Sequence, residues 1–312
     1  MRQKRFRTRF APSPTGFLHE GHVLHAVWLW GIAALCDAEM IVRIEDHDRQ
    51  RCRKVWEDGI IRDMIWLGFF PALPCPDMSG LPRIYRQSDA SANYERDLQG
   101  LLLSGNAYPC SCSRSQIRQR IEGRSAWLYD GYCLKYQADP VLPCCIRFRN
   151  RAADLCSVDG SCDEGVGRRD VALRDRNGNF TYHYCVVHDD LSQDISLIVR
   201  GEDLEPSEGE QRALARCLAP DRAYPLCYYH SILKGENGEK LSKTTGAPAV
   251  ALLRERGYHP DLVRGLVMHK AGLLPAVRRI TISEIPALLH PRLGAFISTV
   301  SLFSELRPSS GV

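Results

Sequence analysis

Residues 9–22, Arg-Phe-Ala-Pro-Ser-Pro-Thr-Gly-Phe-Leu-His-Glu-Gly-His, run straight into an apolar segment and constrain the fold more than any other stretch. Two prolines and a glycine after Arg9-Phe10-Ala11 predict a short strand that ends in a rigid turn. From Val23 to Ala38 the pattern is helical, with Val23, Ala26, Val27, Trp30, Ala33 and Ala34 at steps of three and four. Strand, tight turn and helix together aim backbone N–H groups and the positive helix end at an anion. His19 and His22 add donors, and Gly21 between them lets a nucleotide approach without meeting a Cβ. Taken alone, such a His-x-Gly-His run is more often a surface turn with two solvated histidines.

The next elements extend this beginning. Residues 40–46, Met-Ile-Val-Arg-Ile-Glu-Asp, form a compact apolar run ending in acids, the signature of a buried strand. A helix is predicted over Trp56 to Leu67, with Ile60, Ile61, Met64 and Ile65 on its apolar side. Alternating strand and helix imply an α/β fold with a Rossmann-like parallel sheet, a nucleotide-binding domain whose ligands lie beyond the carboxyl ends of the strands. Ser13 to His22 and Glu45 fall there. Further on, helices are predicted over Gln87 to Ser104, Arg114 to Arg124, Ser207 to Leu218, Ala249 to Arg256 and Asp261 to His269. Strands are predicted over Ile146 to Arg149, Ile195 to Val199 and Tyr228 to Leu233. Asn177-Gly178 between the apolar runs Arg169 to Asp175 and Phe180 to Val187 predicts a hairpin. The Gly- and Cys-rich run 150–167 reads as irregular. The resulting division is a first Rossmann half (1–104), an inserted subdomain (105–168), a second Rossmann half (169–222) and a lysine loop with a small helical C-terminal region (223–312).

Thirteen cysteines are an odd number without a repeating frame, and a chain of 312 residues does not need disulfide staples. Reduced thiols and a cytoplasmic setting are expected. The basic start, Met1 to Arg5, leads into polar residues and prolines rather than the apolar core of a signal peptide, and no window has the length of a membrane span. A net charge of +4 announces no global basic field, though a local strip would suffice for a nucleic acid.

Near the other end, Lys240-Leu241-Ser242-Lys243-Thr244 follows Gly238. On its own this is a solvated charged loop. Paired with the first motif it resembles the HIGH and KMSKS elements of class I aminoacyl-tRNA synthetases, and Arg9 to Gly16 is similar to the glutamyl branch. The resemblance runs from Arg7 to about Ala249. It implies ATP-dependent activation of glutamate to glutamyl-adenylate, ATP being a substrate accompanied by Mg2+. His19, His22, Lys240 and Lys243 would neutralise charge on the phosphates, with His19, Gly21, His22 and Lys243 holding ATP. A diacid with one ammonium needs an arginine fork and an acid for the amine. Arg9, Glu45 and Arg200 stand at predicted strand edges where such groups converge, although strand-end charges are commonly just half-exposed. The resemblance makes these three glutamate-binding together with Ala11, Ser13 and Tyr182. Tyr182 lies in Thr181 to Asp190, which looks like the family's Tyr-Asn-x-Ala-Val-Val-x-Asp-Asp segment.

Cys110-x-Cys112 and Tyr129-x3-Cys133 offer three thiols and a phenol, which suit either simple burial or a closed tetrahedral site. This segment is similar to the zinc insert of glutamyl-queuosine tRNA(Asp) synthetases and implies one structural Zn2+ per chain on Cys110, Cys112, Tyr129 and Cys133. Cys144 and Cys145, adjacent in sequence, are taken as spectators. The 69 residues after Lys243 are too few for the anticodon-reading domain of a complete glutamyl-tRNA synthetase. The expected reaction is therefore transfer of glutamate to queuosine in the anticodon of aspartate tRNA, by a monomer without a membrane partner. Two rivals are a glutamyl-tRNA synthetase acting on the 3′ end of glutamate tRNA and a non-catalytic tRNA-binding relative. Three residues depart from the family pattern. Glu20 puts a carboxylate inside the first motif, Thr244 replaces a serine, and His188 interrupts an apolar run.

Overall fold

The computed structural model describes residues 5–70, 84–121, 129–139, 141–151, 169–233 and 249–305. Lys240, Lys243 and most of the run 150–167 lie outside the described residues. The chain begins with β1 (Arg7–Phe10), α1 (Glu20–Leu35), β2 (Glu39–Ile44), α2 (Lys54–Trp66) and β3 (Ile84–Arg86). There follow α3 (Ser91–Leu103), β4 (Ala107–Cys110), α4 (Arg114–Arg120), α5 (Tyr132–Tyr136), β5 (Cys145–Phe148), β6 (Ala172–Arg174) and α6 (Tyr182–Ser192). The remaining elements are β7 (Leu197–Gly201), α7 (Glu208–Leu218), β8 (Leu226–His230), α8 (Val250–Glu255), α9 (Pro260–Lys270) and α10 (Ile285–Glu305). They divide into two units, one of residues 1–86, 194–205 and 225–312, the other of 87–193 and 206–224.

In the first unit β1, β2 and β3 are parallel, with Phe10 opposite Val42 and Ile44 opposite Arg86. β7 and β8 form a second parallel pair in which Arg200 faces Tyr229. Ser196 stitches this pair to β1: its N–H donates to the Arg7 carbonyl at 2.9 Å and its Oγ accepts from the Arg7 N–H at 3.0 Å. α1 connects β1 to β2 and is buried along almost its whole circumference, from Val23 to Ala33. That makes it a core helix rather than an amphipathic surface one. Of the apolar positions predicted for it, only Ala34 is exposed. At Gly31 an added Cβ would stand 2.5 Å from Leu289 Cδ1, so α10 lies against α1 where there is no side chain.

The second unit carries an antiparallel sheet, β4–β5–β6, with Cys110 opposite Cys145. α3, α6 and α7 share its core through Tyr94, Leu98, Phe148, Leu173, Tyr184 and Leu214. Here the structure corrects the sequence reading. The turn at Asn177-Gly178 forms, but its second arm contributes only the Phe180 bridge to Arg174, and Tyr182–Ser192 is helical rather than a strand. Residues 184–190 are all buried, and a continuously buried run carries no period to separate helix from strand. The division between units also falls elsewhere than expected, at 86/87 instead of 104/105, and 169–193 sits in the second unit instead of completing the parallel sheet. The reason is the shared core that α3 and α6 build.

Two of the polar residues inside this core have side-chain partners. Asp189 accepts from Tyr94 OH at 2.7 Å and from the Gln87 amide at 2.9 Å. His188, which breaks the apolar run, reaches Asp97 with Nε2 at 2.9 Å and meets the Tyr94 ring edge-on at 4.8 Å. Asp97 thus holds the buried imidazole through Nε2, while its Nδ1 stands 3.6 Å from Asp189, beyond a hydrogen bond.

Candidate functional site

α1 starts at Glu20 because His19 caps it. With extended backbone, His19 accepts through Nδ1 from the Gly21 N–H at 3.1 Å, while its own N–H donates to His22 Nδ1 at 3.1 Å. This reciprocal box satisfies two orphan donors of the first turn. It also fixes both tautomers: with each Nδ1 accepting, the neutral rings carry their protons on Nε2 and present N–H donors there. The rings are 4.0 Å apart. A Cβ at Gly21 would come 3.0 Å from His19 Cε1 and 3.2 Å from Nδ1, so the capping ring would have to shift by a few tenths of an ångström.

Glu20, the carboxylate expected to repel a phosphate, is 3% exposed and turned away. Lys270 at the end of α9 holds it with Nζ at 2.7 and 2.8 Å from the two oxygens. The acid also sits in the first turn of α1, where the helix dipole favours negative charge.

The strand ends bring further groups to this turn. The Glu45 N–H donates to the Pro12 carbonyl at 3.0 Å, which sets buried Glu45 beside the loop that carries Ala11 and exposed Ser13. Arg9 is buried on β1. Phe10 stacks on His25 at 6.1 Å, and His25 Nδ1 lies 3.1 Å from His230 Nε2 at the end of β8. His230 Nδ1 stands 3.1 Å from the Ser231 carbonyl, so it is the donor there, His230 Nε2 accepts, and His25 Nδ1 is protonated. Burial pushes the His25 pKa well down, and His230, Arg9 and His22 push it further, so Arg9 and His22 are its electrostatic neighbours. Burial also lowers His230. Both are therefore neutral at pH 7. Sequence reasoning missed this pair, whose members are 205 positions apart. Arg200 is buried, donates to Tyr229 OH at 2.8 Å and lies 5.1 Å from that ring. The structure thus collects Arg9, Ala11, Ser13, His19, Gly21, His22, Glu45 and Arg200 in the first unit. Tyr182 belongs to the second, half-buried at the start of α6 with its ring 5.7 Å from His183.

Ala249, the first described residue after the lysine loop, forms a β-bridge with His19, and the Val250 N–H donates to the Leu18 carbonyl at 2.8 Å. Ala249 and Val250 are therefore fastened to the first motif itself.

In the second unit the Sγ atoms of Cys110, Cys112 and Cys133 all lie within 4.8 Å of one another and are buried. Tyr129 OH is 3.4 Å from Cys110 Sγ and 3.7 Å from Cys112 Sγ, and Cys112 and Cys133 are 3.3 Å apart. Tetrahedral zinc with bonds of about 2.3 Å to sulfur places its thiolates about 3.8 Å apart, so these donors fit the ion. The surroundings suit an anionic ligand set as well. Arg120 Nη2 is 3.2 Å from Cys112 Sγ, and Arg147 lies over the Tyr129 ring at 4.2 Å. A hydrogen bond from the Cys145 thiol, with Tyr129 and Arg147, draws the Cys110 pKa down against its burial, whereas burial pushes Cys112 up to about 11. Cys145 is no bystander in packing: its Sγ also lies 3.4 Å from the Cys110 carbonyl.

A parallel sheet with an imidazole-capped helix start at the end of its first strand is the arrangement of a nucleotide-binding α/β protein. Residues 5–279 match the family model for class I tRNA synthetases (E and Q), catalytic domain, and the chain belongs to that family. The glutamate–tRNA ligase of Legionella pneumophila subsp. pneumophila (strain Philadelphia 1) is 35% identical over 268 residues, 81% of this chain and 54% of that protein. That of Francisella tularensis subsp. novicida (strain U112) is 32% identical over 267 residues, 82% of this chain and 55% of its own length. The chain spans about half the length of these curated relatives. Among solved structures, the glutamate-tRNA synthetase of Elizabethkingia anophelis superposes with a TM-score of 0.66 at 22% identity, covering 98% of this chain and 76% of that one, a likeness of fold. No helix among the described residues is long and apolar enough to cross a membrane.

Proposed function

We propose that this protein activates glutamate with ATP and transfers it to queuosine in the anticodon of aspartate tRNA. The activation half rests on the capped turn at His19 and His22. Their Nε2–H groups and the α1 N-terminus supply donors where charge builds as the α-phosphorus is attacked. Lys243 stands six positions before Ala249, so an extended chain keeps it within about 22 Å of the bridge to His19. Lys240 and Lys243 complete the phosphate cage, and Arg9, Ala11, Ser13, Glu45, Tyr182 and Arg200 hold glutamate. Glutamate–tRNA ligase relatives at 35% identity agree with this substrate.

The observation that carries the acceptor assignment is the convergence of Cys110, Cys112 and Cys133 on Tyr129, the ligand set of the zinc insert in the queuosine-modifying branch. Glutamate-dependent pyrophosphate exchange tests the first half. Transfer of labelled glutamate to aspartate tRNA with and without queuosine tests the second, and glutamylation of the queuosine-free tRNA would overturn it. The names of the curated relatives favour one other reading, attachment to the 3′ end of glutamate tRNA. Product from that reaction forms on glutamate tRNA rather than on aspartate tRNA.

A further inference from the structure

We infer that the outer face of α5 is a stacking platform for an unpaired nucleobase of the tRNA partner, an inference that rests on the tRNA reading above. Tyr132 and Tyr136 are one helical turn apart, 42% and 59% exposed, with ring centroids 4.9 Å apart. Each ring has its own cation: the Arg120 guanidinium lies 4.5 Å from the Tyr132 centroid and Lys135 Nζ 5.0 Å from that of Tyr136. Two exposed aromatic rings in a helix of five residues leave apolar surface that packing among the described residues does not cover. Aromatic faces alternating with positive charge match a single strand, in which every base offers a π-face and every linkage a phosphate.

The platform is braced from beneath. Cys133 lies between the two tyrosines in sequence and points inward to Cys112 at 3.3 Å. Arg120 is gripped by the Asp130 carboxylate and by Cys112 Sγ, so its plane over Tyr132 is set by the thiol cluster. Asp130 is occupied by that grip, and Asp139 accepts from the Val141 N–H at 2.9 Å. Arg114 and Arg118 on α4 are exposed in the same module and add positive charge for phosphates.

The test uses the whole protein and unfractionated tRNA at one fixed salt concentration. Replacing both tyrosines by alanine is expected to weaken tRNA binding about tenfold or more, and replacing both by phenylalanine to change it less than about twofold. Native affinity in the alanine variant would overturn the platform. Acetylation of the unmodified protein by N-acetylimidazole, mapped by mass spectrometry, needs no variant. Saturating tRNA should protect Tyr132 and Tyr136, and unchanged acetylation there would also overturn it. Pyrophosphate exchange on the native protein runs alongside. If exchange is absent while tRNA binding and protection are present, the activation reaction fails and the platform stands. If the native protein binds no tRNA, the platform fails whatever the exchange assay reads.

Discussion

Glu20 and Lys270, 250 positions apart, are joined by two hydrogen bonds of 2.7 and 2.8 Å. The carboxylate is almost wholly buried and the ammonium only partly so. Removing the lysine leaves a buried charge without its partner, whereas removing both leaves an apolar contact. Lys270→Met should cost about 2 kcal/mol of stability, discounted for the exposure of Lys270. Glu20→Met with Lys270→Met should lie within about 1 kcal/mol of the native protein. Urea unfolding of the double-mutant cycle checks this. The single variant should also raise the KM for ATP in pyrophosphate exchange, because an unneutralised carboxylate then stands in the first turn of α1.

Gly21→Ala tests the cap. The added methyl group displaces the His19 ring, whose nearest atoms are 3.0 and 3.2 Å from the new Cβ. Loss of the box should cost about 1 kcal/mol of stability. Exchange activity should fall by more than that, at least tenfold, since both imidazoles lose their set orientation. A variant that loses stability but keeps its rate would remove the box from the chemistry.

Acid should weaken the fold through His25 and His230. Their folded pKa values are lowered, while in the unfolded chain both titrate near 6.5. Below about pH 6.5 the unfolded state therefore binds protons that the folded state refuses. The contribution of the neutral pair is complete above that pH and shrinks as the pH falls through it, by up to about 1 kcal/mol per pH unit for each ring. Unfolding free energies at pH 7, 6 and 5 should show the decline, and His25→Gln should flatten it.

Metal analysis tests the thiol cluster. The purified protein should carry close to one zinc per chain, and Cys133→Ser should reduce this severalfold. Cys145→Ser should keep the metal, because Cys145 faces the Cys110 carbonyl and is no ligand in this assignment.

Much of the first unit was legible because its signals are local. The Arg9 to His22 run, the period of α1 and the acid-tipped β2 each occupy fewer than two dozen residues. The Cys-x-Cys and Tyr-x3-Cys spacings likewise marked a cluster that the fold draws together. What stayed hidden depends on distant pairings. Nothing local tells that Lys270 answers Glu20, that His230 answers His25, or that Arg120 and Arg147 attend the thiols. Phe180 to Val187 reads as a hairpin arm in the sequence because the continuously buried run 184–190 erases the helical period. Their placement in the second unit follows from partners on α3 and α7.

The close fit of α10 to Gly31 has a consequence during synthesis. Leu289, which fills that notch, is translated about 250 residues after Gly31. At roughly 5–20 residues per second, a nascent α1 waits about 13–50 s with its flank at Gly31 uncovered. Slowing elongation in the second half of the chain should therefore increase the fraction lost to aggregates.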